Sequence, residues 1–157
     1  MDGHNFERLK AHILMHSVSD DFEVARREWS LVAIEVTEEF DQCPCGQDIK
    51  EHCYIRNSLN GNQTYVGNVC INRFLQINTG NLFEGLKRIA SDLKANANHD
   101  LIEHAWKMGY LYGEKEYSFL LQTMRSRKLS PSQLAWKEKI NRRIVQQTVV
   151  KSRTHRT

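Results

Sequence analysis

Apolar positions recur at helical spacing toward both ends of this chain and switch to a period of two only in its middle. Phe6, Leu9, Ile13 and Leu14 share one helical face and predict a short helix over residues 3–16. Ser17-Val18-Ser19-Asp20-Asp21 interrupts it, and Ser19 or Asp20 is placed to cap a second helix running to about Glu28. From Trp29 to Thr37 the chain is rich in β-branched and apolar residues. Leu31 and Ala33 alternate with Val32, Ile34 and Val36, as in a partly buried strand. His52–Asn57 and Gln63–Gly67 read as two more strands around Asn60-Gly61, a pair that tolerates positive φ and so favours a hairpin. Asn68 is a candidate cap for a helix that starts near Cys70 and carries Ile71, Phe74 and Leu75.

The remainder is helical. Leu82, Phe83, Leu86, Ile89, Ala90 and Leu93 predict a helix from Leu82 to about Ala97, and another is expected from about Asp100 to Met108. Gly113 breaks the pattern, which resumes from Glu114 to about Arg125. Ser130-Pro131 then restarts it, with serine as N-cap and proline at the first helical position. The expected organisation is α+β: N-terminal helices over 1–28, a β-hairpin module over 29–80, a helical region over 81–150 and a basic tail over 151–157.

Cysteine usage sharpens the middle segment. All four cysteines (Cys43, Cys45, Cys53 and Cys70) lie within 28 residues, and the other 129 residues have none. Four thiols are what a closed tetrahedral zinc site needs, and a hairpin can bring them together. Gly46 after the second cysteine lets backbone N–H groups approach the sulfurs. A knuckle on a hairpin plus Cys70 at a helix start, where the dipole favours a thiolate, describes a treble-clef-like structural Zn2+ site. The spacing departs from two Cys-x-x-Cys pairs. Cys53 or His52 can complete the site but not both, because alternation along a strand sends them to opposite faces. Cys53 is favoured, since an unpaired buried imidazole is costly. The rival arrangement is two disulfides. No basic-then-apolar leader opens the sequence, no apolar run approaches a membrane span, and a reducing cytoplasm is the expected setting.

His12 and His16 are the only other histidines with ligand-like spacing, but two ligands do not make a zinc site and no Glu follows His12 as a protease motif requires. His4, His99, His104 and His155 read as surface or ordinary helix residues. Walker, His-Glu-x-x-His and Gly-x-Ser-x-Gly motifs are absent, and the expectation is a protein that is not an enzyme.

Net charge is +3 but unevenly spread. Residues 1–85 hold 7 Lys+Arg against 13 Asp+Glu, whereas residues 125–157 hold 10 basic residues and one acidic, Glu138. The cations Arg125, Arg127, Lys128, Lys137, Lys139, Arg142 and Arg143 form a candidate nucleic-acid surface, with Lys139, Arg142 and Arg143 on a helix face turned partly away from Leu134. Trp136 and Tyr117 are candidate base-stacking groups, though such aromatics more often belong to the core. The acidic residues Asp20, Asp21, Glu23, Glu35, Glu38, Glu39 and Asp41 suit a different partner, the basic groove of a nucleic-acid-binding protein.

Residues 25–75, through Cys43-x-Cys45-Gly46, Ile55-x-Asn57 and Val66-Gly67-x2-Cys70-Ile71, resemble small zinc-binding proteins and domains of bacteriophages, prophages and large DNA viruses. The resemblance implies Cys43, Cys45 and Cys70 as ligands. Glu116-x2-Phe119-Leu120 and Leu129-Ser130-x2-Gln133-x2-Trp136-x3-Ile140-Asn141 are similar to a helical module of phage and mobile-element proteins. Together they imply a phage-type accessory protein, binding nucleic acid or inhibiting a host or defence complex in an anti-CRISPR-like manner.

Overall fold

The computed structural model describes residues 2–150, an α+β chain with one three-stranded antiparallel sheet and seven α-helices. It divides into two compact units, Met1–Thr79 and Gly80–Thr157. The N-terminal helices, expected as a segment of their own, lie in the same unit as the sheet. The basic tail over 151–157, with His155, falls outside the described residues. No helix among the described residues is long and apolar enough to cross a membrane.

The first unit runs α1 (Asp2–Met15), α2 (Phe22–Ala25), a 3-10 turn (Arg26–Glu28), β1 (Trp29–Gln42), β2 (Asp48–Asn57), β3 (Gln63–Gly67) and α3 (Asn68–Arg73). The strands are ordered β1-β2-β3 as two successive hairpins. Ile34 opposes Cys53, and Cys53 opposes Val66, so one face of the sheet supplies Ile34, Cys53, Ile55 and Val66 to the core beside Leu9, Ile13 and Ile71. β1 is longer than its alternation suggested because two irregularities break the period. The register shifts between Leu31 and Ala33 and again between Val36 and Asp41.

Glu28 joins three segments of this unit. It is 6% exposed, and its carboxylate accepts from the Val18 N–H (2.7 Å), the Ser19 N–H (2.9 Å) and Asn57 Nδ2 (2.7 Å). Burial alone would raise its pKa, but these three hydrogen bonds outweigh it and hold the carboxyl below its usual range.

The second unit is helical: α4 (Leu82–Ser91), α5 (His99–Met108), α6 (Glu114–Gln122) and α7 (Pro131–Gln146). Two of the starts are capped by side chains. Asn98 caps α5 through the Leu101 N–H, and Ser130 and Gln133 form a capping box on α7 with proline in its first turn. Gly109, at φ +85, closes α5 in the left-handed conformation. Ile89, Leu101, Ile102, Ala105, Leu120, Ile140 and Ile144 form the core.

Glu28→Ala should destabilise the protein by about 3 kcal/mol, because it removes the acceptor of three hydrogen bonds and leaves the fully buried Asn57 amide without it. Because its folded pKa lies below the ordinary value of 4.5, the carboxylate's contribution is complete above that pH. Chemical denaturation should show it lost as pH falls from there through the folded pKa, and Glu28→Ala should flatten that part of the profile.

Candidate functional site

β1 and β2 are joined by the turn Cys43-Pro44-Cys45-Gly46-Gln47, and its backbone is organised around sulfur. The Cys43 N–H donates to the Gln47 carbonyl (2.9 Å) and the Gly46 N–H to the Cys43 carbonyl (2.7 Å). The Cys45 N–H then points at Cys43 Sγ (3.5 Å) and the Gln47 N–H at Cys45 Sγ (3.5 Å). Gly46 sits at φ +103, where L side chains are strained, and an added Cβ would run into the Arg8 guanidinium of α1. A cation from another element therefore lies against the turn.

The third sulfur arrives from α3. Gly67, the last residue of β3, donates its N–H to Cys43 Sγ (3.3 Å), and three residues later Cys70 brings its Sγ to 3.9 Å from Cys43 Sγ. A Cβ on Gly67 would fall 2.8 Å from Ile49 Cγ2, so the close approach of β3 to the Ile49 side chain at the start of β2 depends on glycine. The sulfurs of Cys43, Cys45 and Cys70 all lie within 4.8 Å of one another, and the three residues are 1%, 2% and 6% exposed. Such a cluster has the geometry to hold a metal ion. Its hydrogen bonding already favours a thiolate at one position. The Cys70 thiol, with the N–H groups of Cys45 and Gly67, brings Cys43 down to about 6 against the cost of burial. The same shared hydrogen bond and burial push Cys70 up, and burial raises Cys45.

Cys53 is outside this triangle. It is fully buried between Ile34 and Val66 in the middle of the sheet, whereas the other thiols gather beyond the end of β1. Burial, with Glu51 and Cys43 nearby, raises its thiol to about 12, as expected of a core residue. His52 does not join either. It lies on the other face, buried against Tyr54 and Tyr65 with ring centroids at 6.2 and 5.0 Å, and Nε2 is 3.3 Å from Asp41 Oδ2. Alternation does separate the two residues onto opposite faces, but Cys53, expected as the ligand that completes the site, lies in the core of the sheet instead of in the cluster. His12 and His16 stack at 4.6 Å, with His12 Nε2 2.7 Å from Thr64 Oγ1. His104, expected as a surface or ordinary helix residue, lies in α5 and is 8% exposed, and burial and Lys107 lower its pKa to about 4.

The seven cations named as a candidate nucleic-acid surface divide into two groups. Lys137 is 1% exposed; its ammonium donates to Asn96 Oδ1 and to the Thr123 carbonyl (3.3 Å), and burial lowers its pKa to about 8. Arg143 forms a fork on Glu116, with Nη1 to Oε1 at 3.0 Å and Nη2 to Oε2 at 2.7 Å, and also donates to the Tyr110 carbonyl. Glu116 additionally accepts from the Tyr112 N–H and Trp136 Nε1. Lys137 and Arg143, expected to face nucleic acid, therefore serve the fold. Trp136 stacks on Phe119 at 4.3 Å and Tyr117 on Trp106 at 4.9 Å, so both aromatics are engaged in packing. Arg125, Arg127, Lys128, Lys139 and Arg142 are exposed, and Arg142 reaches Glu138 one helical turn away at 3.0 Å. Periodicity alone gave no signal for Arg8 against the knuckle or for Glu116 beneath Arg143.

Cys43→Ser or Cys70→Ser should abolish bound metal and lower the melting temperature by about 10 °C or more, as loss of several kcal/mol from a small unit requires. Cys53→Ser should keep its metal content. Elemental analysis of the purified proteins beside thermal melts checks both; unchanged metal and melting in the first two variants would refute a metal centre here.

No protein-family model, curated protein or solved structure matches this chain.

Proposed function

We propose that the chain is a zinc-braced nucleic-acid-binding protein, with a structural metal centre in its first unit and a cationic surface in its second. The observation that carries the metal reading is the 3.9 Å separation of Cys43 and Cys70 Sγ, with Cys45 completing the triangle. Two thiolates on a tetrahedral zinc, each about 2.3 Å from the metal, stand about 3.8 Å apart. A donor set of thiolates alone selects zinc over the hard cations, and its burial suits bracing rather than substrate access. Knuckle, hairpin and following helix occur in the order of a treble-clef-like module. Cys43, Cys45 and Cys70 would hold the ion, and a fourth donor would close the site.

Nucleic-acid binding is supported by the cations that the fold leaves exposed. Arg125, Arg127 and Lys128 are exposed on the α6–α7 turn, and Lys139 and Arg142 are exposed on α7. Phosphates are the anions that such a clustered surface neutralises. One observation favours inhibition of a nucleic-acid-binding protein as a second reading. β1 is an edge strand, and it exposes Glu35, Glu38, Glu39 and Asp41 around Phe40, which is 65% exposed.

Binding to a labelled single-stranded oligonucleotide, followed by fluorescence anisotropy, should weaken linearly in log affinity against log salt. A combined Arg127→Gln and Lys128→Gln variant should lower the slope by about 1.4, at about 0.7 per phosphate on a single strand. Arg143→Gln is the misleading probe: breaking its ion pair should destabilise the fold by about 3 kcal/mol. Absence of salt-sensitive binding, with one protein captured stoichiometrically from nuclease-treated lysate, would favour the second reading.

A further inference from the structure

The second unit contains a cavity of about 380 Å³ between the start of α5, the end of α4 and the residues following α6. Its volume is within the range of small-ligand sites. Six of its eight lining residues are polar or charged, which disfavours an apolar occupant. Arg88 enters from α4 and Arg125 from the α6–α7 turn.

The neighbouring groups are already engaged in ways that leave these guanidiniums available. The only carboxylate in the lining, Asp100, accepts the backbone N–H of Asn81 at 2.7 Å. Arg88 makes one long contact, to the Asn96 carbonyl at 3.4 Å. Arg125 has no hydrogen bond or ion pair among the described residues. Asn98 is used on both sides, taking the Leu101 N–H (3.0 Å) and donating to the Asn81 carbonyl (2.8 Å). The attraction is therefore the arginine pair rather than the helix end. The wall is fixed as well, since Asn96 Nδ2 donates to the Ser126 carbonyl at 3.0 Å and ties the turn carrying Arg125 to the segment before α5.

We propose that this cavity is a phosphate seat for a nucleic-acid strand, with Arg88 and Arg125 as its two arms. The proposal rests on the nucleic-acid reading and adds Arg88, which lies outside the basic stretch of residues 125–157. Two guanidinium forks match a tetrahedral oxyanion through paired N–H groups, which lysines cannot do. Arg127 and Lys128, which follow Arg125 after Ser126, are exposed and continue the positive surface.

The test is the salt dependence of oligothymidine binding by the full chain carrying Arg88→Gln, Arg125→Gln or, as control, Lys107→Gln at the exposed end of α5. Each arginine variant should lower the slope by about 0.7, and the control should leave it unchanged. Arg88→Lys should keep the slope while weakening binding, because it keeps the charge and loses the fork. An unchanged slope and affinity in Arg88→Gln, with binding still weakened by Arg127→Gln and Lys128→Gln, would overturn the seat and leave the nucleic-acid reading intact. No binding by the wild-type chain would overturn both.

Discussion

Three sulfurs held within 4.8 Å of one another in a nearly sealed interior are the constraint on which the first unit is built. Thiols offer weak hydrogen bonds, and like charges so close together oppose a second ionisation. The backbone nevertheless directs three N–H groups at two of these sulfurs: those of Cys45 and Gly67 at Cys43, and that of Gln47 at Cys45. Such donors stabilise thiolates far more than thiols. These donors favour a thiolate at Cys43, while burial raises Cys45 and the hydrogen bond shared with Cys43 raises Cys70; a cation among the three sulfurs would offset the repulsion that opposes further ionisation. Arg8, lying against Gly46, adds positive charge from α1 on the outside of the same turn. The knuckle, the end of β3 and α3 meet at these three sulfurs, through the hydrogen bonds to Cys43 Sγ from Cys45 and Gly67 and its contact with Cys70 Sγ.

Charge takes the opposite role in the second unit, where the ions in the interior are partners rather than ligands. Glu116 collects the guanidinium of Arg143, the indole N–H of Trp136 and the backbone N–H of Tyr112. Every oxygen lone pair thus meets a donor, which makes a buried carboxylate tolerable. Lys137 is satisfied similarly by Asn96 and Thr123 and lies over the Phe119 ring at 5.6 Å. The basic character of α7 is consequently part structure and part surface. Counting charges along the sequence overstates what a partner can touch.

This division explains what could be read from the chain in advance. The strands at His52–Asn57 and Gln63–Gly67, α5 and the capped start of α7 follow from local rules, since turn chemistry and caps act over a few residues. Cys43, Cys45 and Cys70 were legible for the same reason: a glycine-flanked knuckle and a cysteine opening a helix are local signals. Cys53 was not, because its role depends on where the sheet register places it, opposite Ile34 and Val66. The far end of β1 was missed because its bulge over residues 37–40 destroys the alternation that reveals strands. α4 ends at Ser91 rather than near Ala97, leaving Leu93 and Ala95 to present carbonyls to Asn141. That exchange is invisible until α7 is folded against it.

The same distinction bears on how function is apportioned. Each unit has its own apolar core and its own polar hub: Glu28 in the first and Glu116 in the second. The three cysteines that could hold a metal lie wholly in the first unit, and the cations left exposed by α6, α7 and their connecting turn lie wholly in the second. A metal in the first unit would fix the sheet and α3 around the thiols. It would add nothing to a phosphate contact made by Arg125, Arg127 or Lys128, whose positions are set by Asn96, Ser126 and the capping box of α7. Charge is thus used in two ways along this chain: three buried thiols that could hold a metal ion gather in one unit, and exposed Arg125, Arg127, Lys128, Lys139 and Arg142 gather in the other.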